Sequence, residues 1–240
     1  MTPGESEIIA FARRWGFAPD SPALRAALTH RSAAASPAES NERLEFLGDA
    51  LLSAFVARFL LDALPPDTRE GVLSRARTEL VRRETLARAA RALGVAGLLI
   101  VGSGERKANR HENDSLLADA YEALVAAVYR ERGGDATDAF LRETLADALT
   151  AVAAAPPAPD PKTDLQMRLQ ASGRGLPAYR IIEATGNEQS PVFTAEVLTA
   201  DGTSLGTGTG ASKRAAQTDA ARAALANLPP EPLPERGNPG

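Results

Sequence analysis

The chain has 240 residues, 44% hydrophobic and 24% charged, with a net charge of −4 and a pI of about 5.4. That length suits one or two domains with real cores, and the absence of cysteine excludes a disulfide framework, a thiolate metal site and a cysteine nucleophile. No apolar run approaches the ~18 residues of a membrane span, and the N-terminal residues lack a basic segment followed by an apolar one, so a cytoplasmic protein with no membrane partner is expected. The negative charge argues only mildly against a nucleic-acid partner, because phosphate binding needs local rather than total positive charge.

Residues 1–153 read as helices, rich in Ala and Leu, with apolar residues recurring at three- and four-residue spacing. Helices are predicted at about 5–15, 22–29, 40–62, 70–92, 114–131 and 135–153. Ser21-Pro22 places Pro in a first turn, Asn113-Asp114-Ser115 supplies capping side chains, and Gly133-Gly134 is a natural stop. The run AAAPPAPDP (153–161) holds four prolines, which cannot continue a helix. It sets a Pro-rich linker at 154–160.

Beyond it the period changes. A helix at about 161–172 precedes three β-rich stretches, Tyr179–Ala184, Val192–Thr199 and Ser204–Thr209, with Ala-Asp-Gly as a hairpin signal, and an Ala-rich helix runs from Ser212 to about Leu228. The order α-β-β-β-α places both helices on one face of a small antiparallel sheet. The chain is therefore expected to be multidomain: an all-α domain at 1–153, an α+β domain at 161–228 and a disordered tail at 229–240.

The chemistry concentrates in NERLEFLGDALL (41–52). Glu42, Glu45 and Asp49 are three and four residues apart and share one helix face, where like charges repel unless something offsets the cost. Asp119 and Glu122 repeat the pattern in LLADAYEALV (116–125), a helix apolar nearly all round, where acids are rarely left unpaired. A solvated acidic face explains any one such pair. Two interior helices brought together would instead gather four or five oxygen donors, suited to Mg²⁺ or Mn²⁺. Spacing names no substrate.

The stretch NERLEFLGD (41–49) resembles the signature of the ribonuclease III family. Leu28-Thr29-His30-Arg31-Ser32 before it and LLADAYEALVAAVY (116–129) after it agree, and the segment from Asp160 is similar to the double-stranded-RNA-binding domain of bacterial members. The resemblance covers about residues 5–228. It implies an endonuclease domain, a metal site at Glu45, Asp49, Asp119 and Glu122, catalytic roles for Asp49 and Glu122, and further acidic positions at Glu42 and Glu70. For Glu70, at a helix start before Gly71, the helix dipole is a sufficient explanation by itself. It also implies a homodimer in which Phe46 packs into the partner subunit, although Phe46 as ordinary core reads equally well from the residues. The implied reaction is Mg²⁺-dependent hydrolysis of double-stranded RNA, with Mn²⁺ as a substitute, to 5′-phosphate and 3′-hydroxyl ends, in processing of ribosomal, messenger and transfer RNA precursors.

A duplex is read mainly by shape, through phosphates and 2′-hydroxyls. The candidate contacts are Thr163 and Gln166 on the first helix of the second domain, the 186–191 loop with Asn187, and Lys213 and Arg214 at the start of the last helix. Residues 157–228 hold seven basic side chains (162, 168, 174, 180, 213, 214, 222) and seven acidic ones (160, 164, 183, 188, 196, 201, 219), so this module is neutral. Ala215 stands where some family members carry a third basic residue, and the 186–191 loop has Glu188 and no histidine, which puts tight, salt-resistant binding in doubt. Arg106, Lys107 and Arg110 are further candidates for phosphate contacts, against the simpler reading of a polar loop. A metal-free nuclease would need paired histidines; His30 reads as structural and His111 as solvated, and no G-x-S-x-G elbow occurs. The alternative is a non-cleaving double-stranded-RNA-binding or ribosome-assembly protein, which has no need of clustered, repelling carboxylates.

Overall fold

The structure, a computed structural model, describes residues 5–107, 113–158, 160–187 and 190–229. Arg110, His111, Glu188, the side chain of Lys107 and the tail beyond residue 229 lie outside them. The chain divides into two compact units, Met1–Pro157 and Ala158–Gly240, the first all-α in its described residues and the second α+β.

The first unit runs α1 (Glu5–Trp15), α2 (Pro22–Ala27), α3 (Glu42–Ala63), α4 (Glu70–Val81), α5 (Arg83–Ala92), α6 (Val95–Leu98), α7 (Ser103–Lys107), α8 (Asp114–Thr144) and α9 (Ala146–Ala154). Helix α8 is its axis. Leu117, Tyr121, Leu124, Val125 and Val128 are buried against α2, α3 and α5. A helix this apolar on all sides can only sit inside. The Tyr121 hydroxyl, which would be costly to bury alone, bonds the Thr144 hydroxyl at 2.6 Å. Trp15 anchors α1 edge-on against Phe140, ring centroids 4.8 Å apart.

The caps form as expected: the Ser21 hydroxyl accepts from Leu24 N–H at 2.9 Å and Asn113 Oδ1 from Ser115 N–H at 2.8 Å. Three elements differ from expectation. The helix expected at 70–92 is broken at Arg82, whose ψ of 151° is extended; the break lets Ala76 and Leu80 on one side and Leu86, Ala87 and Ala90 on the other all enter the core. The stop expected at Gly133 is present as non-helical backbone (φ 78°, ψ −174°) within α8, and the helix expected at 135–153 is itself two, because α8 ends at Thr144 and Leu145 is buried at the turn into α9. The helix expected at 22–29 ends at Ala27, and Thr29 instead bridges Ile100.

The second unit is α10 (Pro161–Ala171), β1 (Ala178–Asn187), β2 (Ser190–Leu198), β3 (Ser204–Gly210) and α11 (Lys213–Asn227). Ala154 still belongs to α9, and Asp160 caps α10 by accepting from Thr163 N–H at 3.1 Å, so the connector is shorter than 154–160. The sheet is antiparallel in the order β1-β2-β3, with a bulge between Ile181 and Glu183. Its core is small: Leu165, Leu169, Ala195, Val197, Ala216, Ala220, Ala221 and Ala224. Gly206, Gly208 and Gly210 alternate along β3 on the face toward α11; a Cβ on Gly208 would lie 2.1 Å from Ala220 N. Glycine there lets an alanine-faced helix lie directly on the strand.

Candidate active site

The early turns of α3 carry Glu42, Glu45 and Asp49, and those of α8 carry Asp119 and Glu122. The two helices meet at Gly48. A Cβ on Gly48 would stand 1.8 Å from the Glu122 carbonyl oxygen, so only glycine allows this approach. A glycine inside a helix otherwise costs about 1 kcal/mol relative to alanine. Placed between Glu45 and Asp49, it brings both beside the α8 acids.

The electrostatics show the gathering. Burial, first, and then the charges of Asp49, Glu45 and Asp119 push the Glu122 carboxyl up to about 8. Glu45 is raised by burial, Asp119, Glu42 and Asp49, against Arg31. Asp119 is raised by burial, which outweighs the opposing influence of Arg83, His30 and Arg31. Asp49 is the exposed member of the four. Among the described residues no three of these side chains stand close enough to hold one ion between them. The structure thus brings the four acids into one neighbourhood without closing them around a point.

Glu42 lies at the rim, exposed, 3.4 Å from Arg31 Nη1. Glu70 opens α4 and accepts from the Ser74 hydroxyl at 2.6 Å, and it is not among the charges that shift Glu45, Asp119 or Glu122. His30 is structural, its Nδ1 2.8 Å from the Ser32 hydroxyl and 3.2 Å from Ser32 N. Sequence reasoning missed Gly48, Arg31 and Arg83. An unexplained mid-helix glycine was a signal for the first, and nothing in the sequence marked the third.

In the second unit Thr163, Gln166, Lys213 and Arg214 are all exposed, the last two in the first turn of α11 behind the Ser212 cap. The Thr163 hydroxyl bonds Asp160 at 3.2 Å. Asn187 ends β1, its Oδ1 accepting from Ser190 N–H at 2.8 Å across the hairpin.

Comparison with known families matches residues 20–149 to the ribonuclease-III-like family and residues 161–228 to the double-stranded RNA binding motif. The chain belongs to the ribonuclease III family. Ribonuclease 3 of Thiobacillus denitrificans is 43% identical over 205 residues, 85% of this chain and 89% of that protein. Ribonuclease 3 of Nitrosococcus oceani is 42% identical over 219 residues, 90% and 92% of the two chains. Among solved structures, the nuclease domain of ribonuclease III from Campylobacter jejuni superposes with a TM-score of 0.52 at 30% identity, over 60% of this chain and 96% of that one. That structure is described as flexible in a region involved in dimer formation. As a ribonuclease III family member the chain is an endoribonuclease, a hydrolase, with a double-stranded-RNA-binding module.

Phe46, between the ribonuclease III acids Glu45 and Asp49, is 83% exposed, so the reading of it as core is overturned. The helix period explains this: Leu44, Gly48 and Leu52 take the inward positions, leaving residue 46 outside. Among the described residues no helix is long and apolar enough to cross a membrane.

Proposed function

We propose that this endoribonuclease hydrolyses double-stranded RNA with Mg²⁺, Mn²⁺ substituting, held by Glu45, Asp49, Asp119 and Glu122, to leave 5′-phosphate and 3′-hydroxyl ends. The observation that supports it is the close approach of α3 and α8 at Gly48, across which Asp49 and Glu45 raise Glu122 and Asp119 raises Glu45. Half-buried acids that disfavour one another's charge fit a small, hard cation, because oxygen donors suit it and its charge offsets their repulsion. When bound, such an ion lowers the pKa of a water and stabilises charge on the phosphate and leaving oxygen.

The chain's own residues do the rest. Glu122 is largely protonated at neutral pH and must give up its proton to become a ligand, so affinity for the ion rises with pH. Asp49, exposed at the edge of the set, is the carboxylate most open to an incoming duplex and, with Glu122, carries the catalytic role. Gly48 fixes the spacing between the two helices. Glu42 and Glu70 are secondary, Glu70 acting mainly at its own helix terminus. Thr163, Gln166, Asn187, Lys213 and Arg214 bind the duplex. The 83% exposed Phe46 supports a homodimer through the nuclease unit. Processing of ribosomal, messenger and transfer RNA precursors in the cytoplasm is the cellular role proposed.

A labelled RNA duplex incubated with and without Mg²⁺ tests this, beside Asp49→Asn and Glu122→Gln. The parent is expected to cut only with the ion, and each variant at least 10²-fold more slowly. Binding without cutting under any divalent ion would remove the nuclease reading, and normal cutting by both variants would remove the site.

A further inference from the structure

The second unit is short of free cations. Arg180 pairs with Glu196 at 2.7 Å, Arg222 with Asp219 at 2.7 Å and Arg168 with Asp164 at 3.9 Å. Lys162 is held between Gln217 Oε1, at 2.9 Å, and the Tyr179 ring. Of the seven basic residues in 157–228 this leaves Arg174, Lys213 and Arg214 with no side-chain partner among the described residues. A duplex bound chiefly through phosphates must find other cations.

One stands at the carboxylate set. Arg31 belongs to the loop after α2, and that loop is locked. His30 N–H donates to Ile100 O at 2.9 Å, Ile100 N–H to Leu28 O at 2.8 Å, Asn41 N–H to Thr29 O at 2.9 Å and Gly102 N–H to the Ser32 hydroxyl at 2.9 Å. A Cβ on Gly102 would lie 2.5 Å from Ser32 O, so the segments touch at backbone level. From this support the Arg31 side chain, 72% exposed, reaches Glu42 through one contact of 3.4 Å. No residue of the set needs Arg31 as a tight partner, yet its guanidinium lies beside the set at Glu42.

We propose that Arg31 binds a phosphate of the duplex beside the cleaved bond, the nuclease unit thereby supplying charge that the neutral module lacks. This rests on the double-stranded-RNA nuclease reading above. A guanidinium offers planar, paired donors to phosphate oxygens, and Arg31 exchanges a single exposed carboxylate contact, worth little in water, for a phosphate.

The test measures binding of an RNA duplex longer than about 16 bp to the full chain in divalent-free buffer, across a KCl series. Arg31→Ala is expected to reduce the slope of log affinity against log salt by about 1; Arg31→Lys restores the slope. Arg13→Ala, exposed on α1, removes the same charge far along the chain and is expected to leave the slope alone. Glu42→Gln should tighten binding by the parent and not by the Arg31→Ala protein. A slope for Arg31→Ala equal to that of Arg13→Ala, with only the melting temperature moved, would mean that Arg31 merely balances the acids and would overturn the proposal. A parent that binds no duplex would sink the nuclease reading and this one together.

Discussion

Glu122 sits where burial and three neighbouring carboxylates all oppose its charge. Its folded pKa, about 8 against an ordinary 4.5, means that the native state favours the neutral acid. This contributes stability that is complete below about pH 4.5 and is lost as pH rises through about 8. Glu45 and Asp119 shift in the same direction. In divalent-free buffer Glu122→Gln should therefore gain melting temperature over the parent as pH is raised from about 5 to 9, read by thermal denaturation; a gap independent of pH would contradict the assigned environment. With Mg²⁺ added, the rising limb of the cleavage rate against pH should move to lower pH as the ion concentration increases, since the ion and the proton compete for one carboxyl. The acid positions were legible as residues because three- and four-residue spacing is a property of the chain. Their shifted protonation was not, because it depends on what the other helix brings.

At the scale of elements, the approach of α3 to α8 decides the geometry of the site. Gly48→Ala places a methyl group against the Glu122 carbonyl, with no flexible side chain to yield. The helices must separate or shift. The expected cost is about 1–3 kcal/mol, as for other overpacked interfaces, with cleavage reduced about 10²-fold because displacing a catalytic group by ~1 Å suffices for that. Urea unfolding and single-turnover cleavage check the two parts separately. Helices α3 and α8 were legible because long apolar periodicity marks a helix whatever its neighbours do. The break at Arg82 was not, since VRRET (81–85) contains neither glycine nor proline; it is held by tertiary packing, with Leu80 and Leu86 both buried, and by the Thr85 hydroxyl donating to Glu79 O at 2.8 Å. Likewise α6 and α7 are too short for a period to show.

For the whole molecule, Phe46 bears on assembly. Burying a phenylalanine is worth about 1.5–3 kcal/mol, and a twofold interface would bury two, so Phe46→Ala should weaken the proposed homodimer by about 10²–10⁴-fold. Sedimentation across a concentration series measures this. A parent that stays monomeric, or a variant that dimerises equally well, would remove Phe46 from the interface. The sequence by itself determined that an all-α unit precedes an α-β-β-β-α unit, where the break between them falls, and which acids are candidates for chemistry, because period, proline content and residue spacing are local. Only the tertiary structure decided that Phe46 faces out, that Glu70 is not among the charges acting on Glu45, Asp119 and Glu122, and that Arg31 stands beside the acids. Those facts depend on which distant segments meet, and that is set by the packing of α8 against its neighbours and not by any pattern along the chain.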